Sequence, residues 1–207
     1  MNVLDIYKKS YLKKQFERID LFVKIKEKFN ITNALYPGSY VHITPSFVIP
    51  DVVYVDSVSD ANQFFKDSKV VEEYIEKNKI YESKSSFRFI YQDYAKPLDL
   101  PKKSFDMLIS LWAGPISQAC TRYLKPGGIL LANNSHADAG LAFLDPVYEL
   151  MAAVHFRNGK FRISEKDLAS YFIPKNNENH TIAYLLKTGK GIGYKKTANS
   201  YIFRKCT

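Results

Sequence analysis

Apolar residues recur along this chain with two different periods. Over residues 3–29, Leu4, Tyr7, Tyr11, Leu12, Phe16, Ile19, Phe22 and Val23 fall three and four positions apart, which predicts one amphipathic helix. Lys8, Lys9, Lys13, Lys14 and Lys24 lie mostly off that stripe. Short, nearly unbroken apolar runs come next and predict strands over 31–36, 52–55, 85–91, 105–111 and 129–132. The helical period returns between them. Ser57 and Ser59 open a helix carrying Ala61, Phe64 and Phe65, and Asp67 and Ser68 restart it with Val70, Val71, Tyr74 and Ile75 inward. A third helix is predicted over 116–123.

The breaks are set by turn chemistry. Pro37-Gly38 ends the first strand, and Thr44-Pro45 leaves room before Pro50 for roughly one or two helical turns. Leu124-Lys125-Pro126-Gly127-Gly128 reads as a turn. Residues 137–156 are ambiguous: Asp145-Pro146 can open a helix, yet Asn158-Gly159 between two apolar runs is a hairpin signal. Ser164 is expected to cap a helix reaching Tyr171, and 180–186 and 200–204 read as the last two strands, one of them antiparallel. The result is an α/β fold: a doubly wound, mostly parallel, seven-stranded sheet over residues 31–207, with an N-terminal helical extension over 1–30.

In such sheets, ligands collect at the carboxyl ends of the strands. Residues 36–39, Tyr36-Pro37-Gly38-Ser39, form a small-residue turn where a ligand can approach backbone. Asp56, eighteen residues beyond Gly38 and next to Ser57, lies close to the spacing at which an acid grips a ribose. Leu111 and Trp112 end the fourth strand. Each has a plainer reading: an ordinary Pro-Gly turn, a helix cap at Asp56, a core aromatic at Trp112.

Composition narrows the classes. Aromatic content of 14% supports a packed core, and no apolar run approaches the ~20 residues of a membrane span. Two cysteines give no disulfide framework and the first residues carry no secretory pattern, so a cytoplasmic setting is expected. The four histidines are scattered, so no metal site is expected. There is no phosphate-binding GxxxxGK[ST] loop and no G-x-S-x-G elbow. The net charge of +9, with no acid after Glu178, makes nucleic acid a second candidate partner beside a small molecule.

This order of elements resembles the class I S-adenosylmethionine-dependent methyltransferases over residues 31–207. Pro37-Gly38-Ser39 stands at that family's glycine-rich loop, and KSFDMLIS…LKPGGILLANN resembles its fourth strand, following helix and fifth strand. The resemblance implies S-adenosylmethionine as cofactor. Asp56 would bind the ribose hydroxyls, and Asp93, with Tyr94 alongside, would meet the adenine amino group. Trp112 would stack on adenine or line the acceptor pocket. The family's acid at the first strand's end is replaced by Leu35-Tyr36, and Gly38 is the only glycine before residue 114. A domain of this kind that binds without catalysis, or a basic nucleic-acid-binding module, are the alternatives. No catalytic residue is assigned; His42, His136 and Asp138 are the candidate bases. The methyl acceptor, oligomeric state and pathway are not legible.

Overall fold

A computed structural model describes residues 3–176 and 180–207. The chain divides into two compact units, Met1–Leu98 and Asp99–Thr207.

The first unit holds three parallel strands, β1 (Asn33–Pro37), β2 (Asp51–Asp56) and β3 (Ser86–Tyr91), with β2 between the other two. Val52 to Asp56 and Ala34 to Pro37 are buried, as strands covered on both faces require. α3 (Ser59–Lys66) and α4 (Ser68–Asn78) follow β2 and bury Phe64, Phe65, Val71 and Ile75. Phe65 stacks on Phe89 at 4.3 Å and on Tyr54 at 5.4 Å, which fixes α3 across β2 and β3. Burying such a ring is worth roughly 1.5–3 kcal/mol.

Between β1 and β2 the crossover is a 3-10 turn, Thr44–Phe47, with Pro45 in its first positions. Residues 41–49 are all buried. Tyr54 holds this segment from the strand: its hydroxyl bonds Ser46 Oγ at 2.6 Å and donates to Ile43 O at 3.2 Å.

The single helix expected over 3–29 is broken. α1 (Leu4–Tyr7) runs into a π-helical turn over Lys8–Leu12, and α2 (Ile19–Phe29) starts afresh. Gln15 and Arg18 have φ of 56° and 61°, the left-handed region that ends a helix. The apolar stripe serves two separate purposes. Leu21, Phe22 and Ile25 pack α2, while Tyr7 and Tyr11 reach the β1–β2 crossover, and Leu12 and Phe16 are left exposed.

The second unit pairs β4 (Phe105–Ser110) with β5 (Leu124–Ala132) in parallel, then continues antiparallel through β8 (Ser200–Lys205), β6 (Tyr148–Arg157) and β7 (Lys160–Ser164). The turn expected at 124–128 is a bulge inside β5: Phe105 pairs with Leu124 and Met107 with Ile129, and Gly127 takes φ 77°. Asn158 and Gly159, at φ 53° and 72°, close the β6–β7 hairpin. This hairpin resolves the ambiguity at 137–156, and Asp145-Pro146 follows α6 (Asp138–Leu144) instead of opening a helix.

Two expectations near the C-terminus are corrected. Residues 180–186 form no strand; α7 (Ile182–Thr188) stands there, with Thr181 Oγ1 accepting from Tyr184 N at 3.2 Å and Gly189 ending it at φ 60°. The helix expected from Ser164 to Tyr171 is a single 3-10 turn, Leu168–Ser170, because Asp167 sits at φ 53°. The architecture is α/β as expected. Among the described residues the strands number eight, because β6 and β7 are gained and the one at 180–186 is lost.

Candidate functional site

At the carboxyl ends of β1, β2 and β3 the backbone is tied together. Gly38, at φ 63°, turns the chain and donates its N–H to Val55 O at 2.8 Å. Ser39 N–H reaches the same oxygen at 3.4 Å. The Asp56 carboxylate accepts from Tyr40 N–H at 2.8 Å and from Val58 N–H at 2.9 Å, one bond to each oxygen. Its backbone O accepts from Gln92 N–H at 3.1 Å, joining the end of β3. Asp56 is 7% exposed and does not cap α3, whose N-cap residue is Val58. A carboxylate offers about four lone-pair positions, so two acceptor positions remain beyond these bonds.

Other expected residues fall around this point. Pro37 and Ser39 are buried, and Ser57 is exposed. Asp93 is exposed and makes an Asx turn, Oδ1 accepting from Ala95 N–H at 2.9 Å; Tyr94 is half-buried beside it. A cleft of about 590 Å³ in this unit lies elsewhere, among Asn62, Phe65, Lys66, Ser85, Phe87 and Phe89, and none of the expected site residues lines it.

Tyr36 ends β1 in a buried chain of polar contacts. His42 Nε2 meets the carbonyl of Glu17 at 3.2 Å, and a carbonyl only accepts. Nε2 therefore carries the proton, and Tyr36 O–H donates to Nδ1 at 3.0 Å. Tyr11 stacks on the imidazole at 4.4 Å. Burial, with help from the Arg18 guanidinium, holds His42 down to about 3. A neutral, 1% exposed imidazole with both nitrogens engaged is no general base. Arg18 also lies near enough to Tyr36 and Tyr11 to favour their ionised forms, against the larger effect of burial. Where the resemblance implies an acid, this chain brings a cation from its N-terminal segment. Sequence reading missed Arg18 and Tyr11, whose contacts lie tens of residues away in the chain.

Leu111 and Trp112 belong to the second unit. Leu111 is buried; Trp112 sits at φ 60° and is 54% exposed, so it is not the core aromatic of the plainer reading. The Trp112 backbone N–H donates to Asn133 Oδ1 at 3.3 Å. Beneath this loop Asp138 is fully buried and accepts from Ser110 Oγ, from Ser117 N–H at 3.0 Å and from Ser117 Oγ at 2.6 Å. Burial raises its carboxyl, opposed by these hydrogen bonds. Asp138 thus clamps the start of α5 (Ile116–Ala119) to the end of β4, and it is not a free base. His136 alone of the three candidates is exposed, beside Gly114. Cys120 is buried, which pushes its thiol up to about 12 and removes it as a nucleophile.

Among the described residues no cluster of His, Cys, Asp or Glu could hold a metal ion, and no helix is long and apolar enough to cross a membrane. No family model matches the chain, and no curated protein is similar to it in sequence. Solved structures are similar in fold. A methyltransferase from Geobacter sulfurreducens shares 9% identity over 100% of this chain and 90% of its own, with a TM-score of 0.51. An S-adenosylmethionine-dependent methyltransferase from Clostridium acetobutylicum shares 12% over 98% and 97%, at 0.50. Phosphoethanolamine N-methyltransferase 1 of Haemonchus contortus, solved with phosphoethanolamine and S-adenosylhomocysteine, shares 7% over 93% of this chain and 43% of its own, at 0.51. The fold of this chain is that of the class I, Rossmann-like S-adenosylmethionine-dependent methyltransferases.

Proposed function

We propose that this protein is an S-adenosylmethionine-dependent methyltransferase whose nucleoside end rests on the carboxyl ends of β1, β2 and β3. The observation that carries the reading is the convergence of the Gly38 turn, the Asp56 carboxylate and the Gln92–Asp93 segment through backbone bonds. Asp56 keeps acceptor positions for a ribose diol, and Asp93 Oδ2 would accept from an adenine amino group. Bound there, the cofactor would supply a reactive methyl sulfonium. The chain's own task is then chiefly to hold donor and acceptor in line.

The amino-acid end of the cofactor meets a different environment. Arg18 suits a carboxylate, and Tyr36 to Tyr40 offer no acid to an ammonium. His42 and Asp138 are both locked, so neither serves as base for an acceptor that must lose a proton. A small molecule is the acceptor proposed. A binding protein without catalysis is the second reading, favoured by that missing acid.

Calorimetric titration with S-adenosylhomocysteine tests both. Binding should be seen, and Asp93→Ala should weaken it roughly fivefold or more, as loss of one hydrogen bond implies. No heat and no thermal shift at millimolar ligand would remove the cofactor reading. Binding with no transfer of labelled methyl to any acceptor pool would favour the second reading.

A further inference from the structure

The last quarter of the chain is charged far out of proportion to the rest. Residues 157–207 hold 11 Lys and Arg against 3 Asp and Glu. Lys205 is not part of any surface, because it is buried with its Nζ on Thr121 O and Leu124 O. Several of the others are gathered on one face of the β6–β7 hairpin.

The register fixes that face. Arg157 pairs with Lys160 and His155 with Arg162, so the four side chains project to the same side of the ribbon. His155 Nε2 lies 2.8 Å from Tyr171 Oη, and Lys196 Nζ sits over the Tyr171 ring at 4.4 Å and donates to Ser170 Oγ at 3.0 Å. Burial, then Arg157, then Lys196 hold His155 below its ordinary range, so cations from two separate stretches act on one point. Glu165, just past β7, is the nearest acid in sequence.

Arg157 opposite Lys160 breaks a local rule. Like charges directly across strands are destabilising, and folds keep such pairs where function needs them. Cations on an edge strand also discourage strand-to-strand aggregation, but Lys160 and Arg162 on β7 would suffice for that. Arg157 on β6 and Lys196 before β8 add nothing to edge protection. The other face of the hairpin carries Phe156 and Phe161, rings 4.6 Å apart, with Phe156 46% exposed. The cations therefore have a face of their own, and a run of them along one face is the footprint that a phosphate backbone fits.

We propose that the cationic face of the β6–β7 hairpin, with Lys196, is a docking surface for nucleic acid, with phosphates on Arg157, Lys160, Arg162 and Lys196. This surface stands whether or not the chain transfers methyl groups.

The test is fluorescence anisotropy of a labelled, mixed-sequence RNA of about 12 nucleotides, within the usual site size. Four phosphate contacts should give a log–log salt slope of about −2.8, at about −0.7 each. Arg157→Glu/Lys160→Glu/Arg162→Glu should lose roughly tenfold or more in affinity and most of that slope. Phe156→Ala, on the opposite face, should leave affinity and slope as in the parent. Should the triple variant melt early, Lys160→Gln at the exposed hairpin end serves instead, with a slope smaller by about 0.7. Wild-type binding that ignores salt, or a triple variant that folds and binds as the parent does, overturns the proposal. Binding to phosphatidylserine vesicles with none to RNA overturns it as well and makes the surface a membrane contact.

Discussion

Asp56 shows how a residue read as a ligand contact also holds the fold. Its two oxygens accept the Tyr40 and Val58 N–H groups, so removing the carboxyl leaves both donors without that partner. Asp56→Ala should therefore lose roughly 1–3 kcal/mol of stability, read from urea unfolding, before any loss of ligand is measured. Unchanged stability would mean that the β1 turn does not depend on these bonds. His42 gives a second residue-level test. Its pKa lies at about 3 in the fold, against about 6.5 unfolded. The unfolded chain takes up the proton first as pH falls, so the contribution is full above about 6.5 and declines towards 3 at up to about 1.4 kcal/mol per pH unit. His42→Phe should show a shallower fall in melting temperature between pH 6 and pH 4 than the parent, with wild-type pH dependence counting against it. Burial raises Asp138, which acts with the opposite sign; comparing parent with variant isolates His42. The sequence placed Asp56 at the end of β2, but its bonds to the Tyr40 and Val58 N–H groups depend on how the Gly38 turn folds back and were not legible. It could not place His42, whose partners Tyr11, Glu17 and Tyr36 come from three separate stretches.

Elements were legible where one physical signal dominated. α3 and α4 follow their inward apolar residues, with no side-chain cap bond at either start, and the β6–β7 turn follows Asn158-Gly159, whose positive φ values few other pairs adopt. Gly159 has open space where a Cβ would stand, so Gly159→Ala isolates backbone strain from packing. It should cost roughly 1 kcal/mol in urea unfolding. A loss well above that would place an unseen contact at the hairpin tip. Elements failed where two signals competed. The stripe over 3–29 has helical spacing, yet Tyr7 and Tyr11 are pulled onto the β1–β2 crossover and the helix gives way at Gln15 and Arg18. Thr181 to Gly189 has apolar residues that suit a strand, and the cap at Thr181 with the stop at Gly189 decided for helix.

At the scale of the whole molecule, charge is the least evenly shared property. Of the net +9, residues 99–207 carry +7. Three of the ion pairs seen, Lys24–Asp20, Lys79–Glu76 and Lys84–Glu72, lie in the first unit, and Lys125–Asp106 lies in the second. All four are part-exposed and so worth little. Self-repulsion of the cations should then outweigh pairing, and salt that screens charges within about 10 Å should stabilise the chain. The melting temperature should rise by roughly 2–4 °C between low salt and physiological sodium chloride, about what a fraction of a kcal/mol to 1 kcal/mol yields for this size. Lys160→Gln, which relieves the like-charge pair with Arg157, should raise it at low salt and leave less for added salt to do. A parent that melts earlier as salt is added would show that ion pairs outweigh repulsion. It would also mean that the hairpin cations are compensated within the fold and are not held for an outside polyanion.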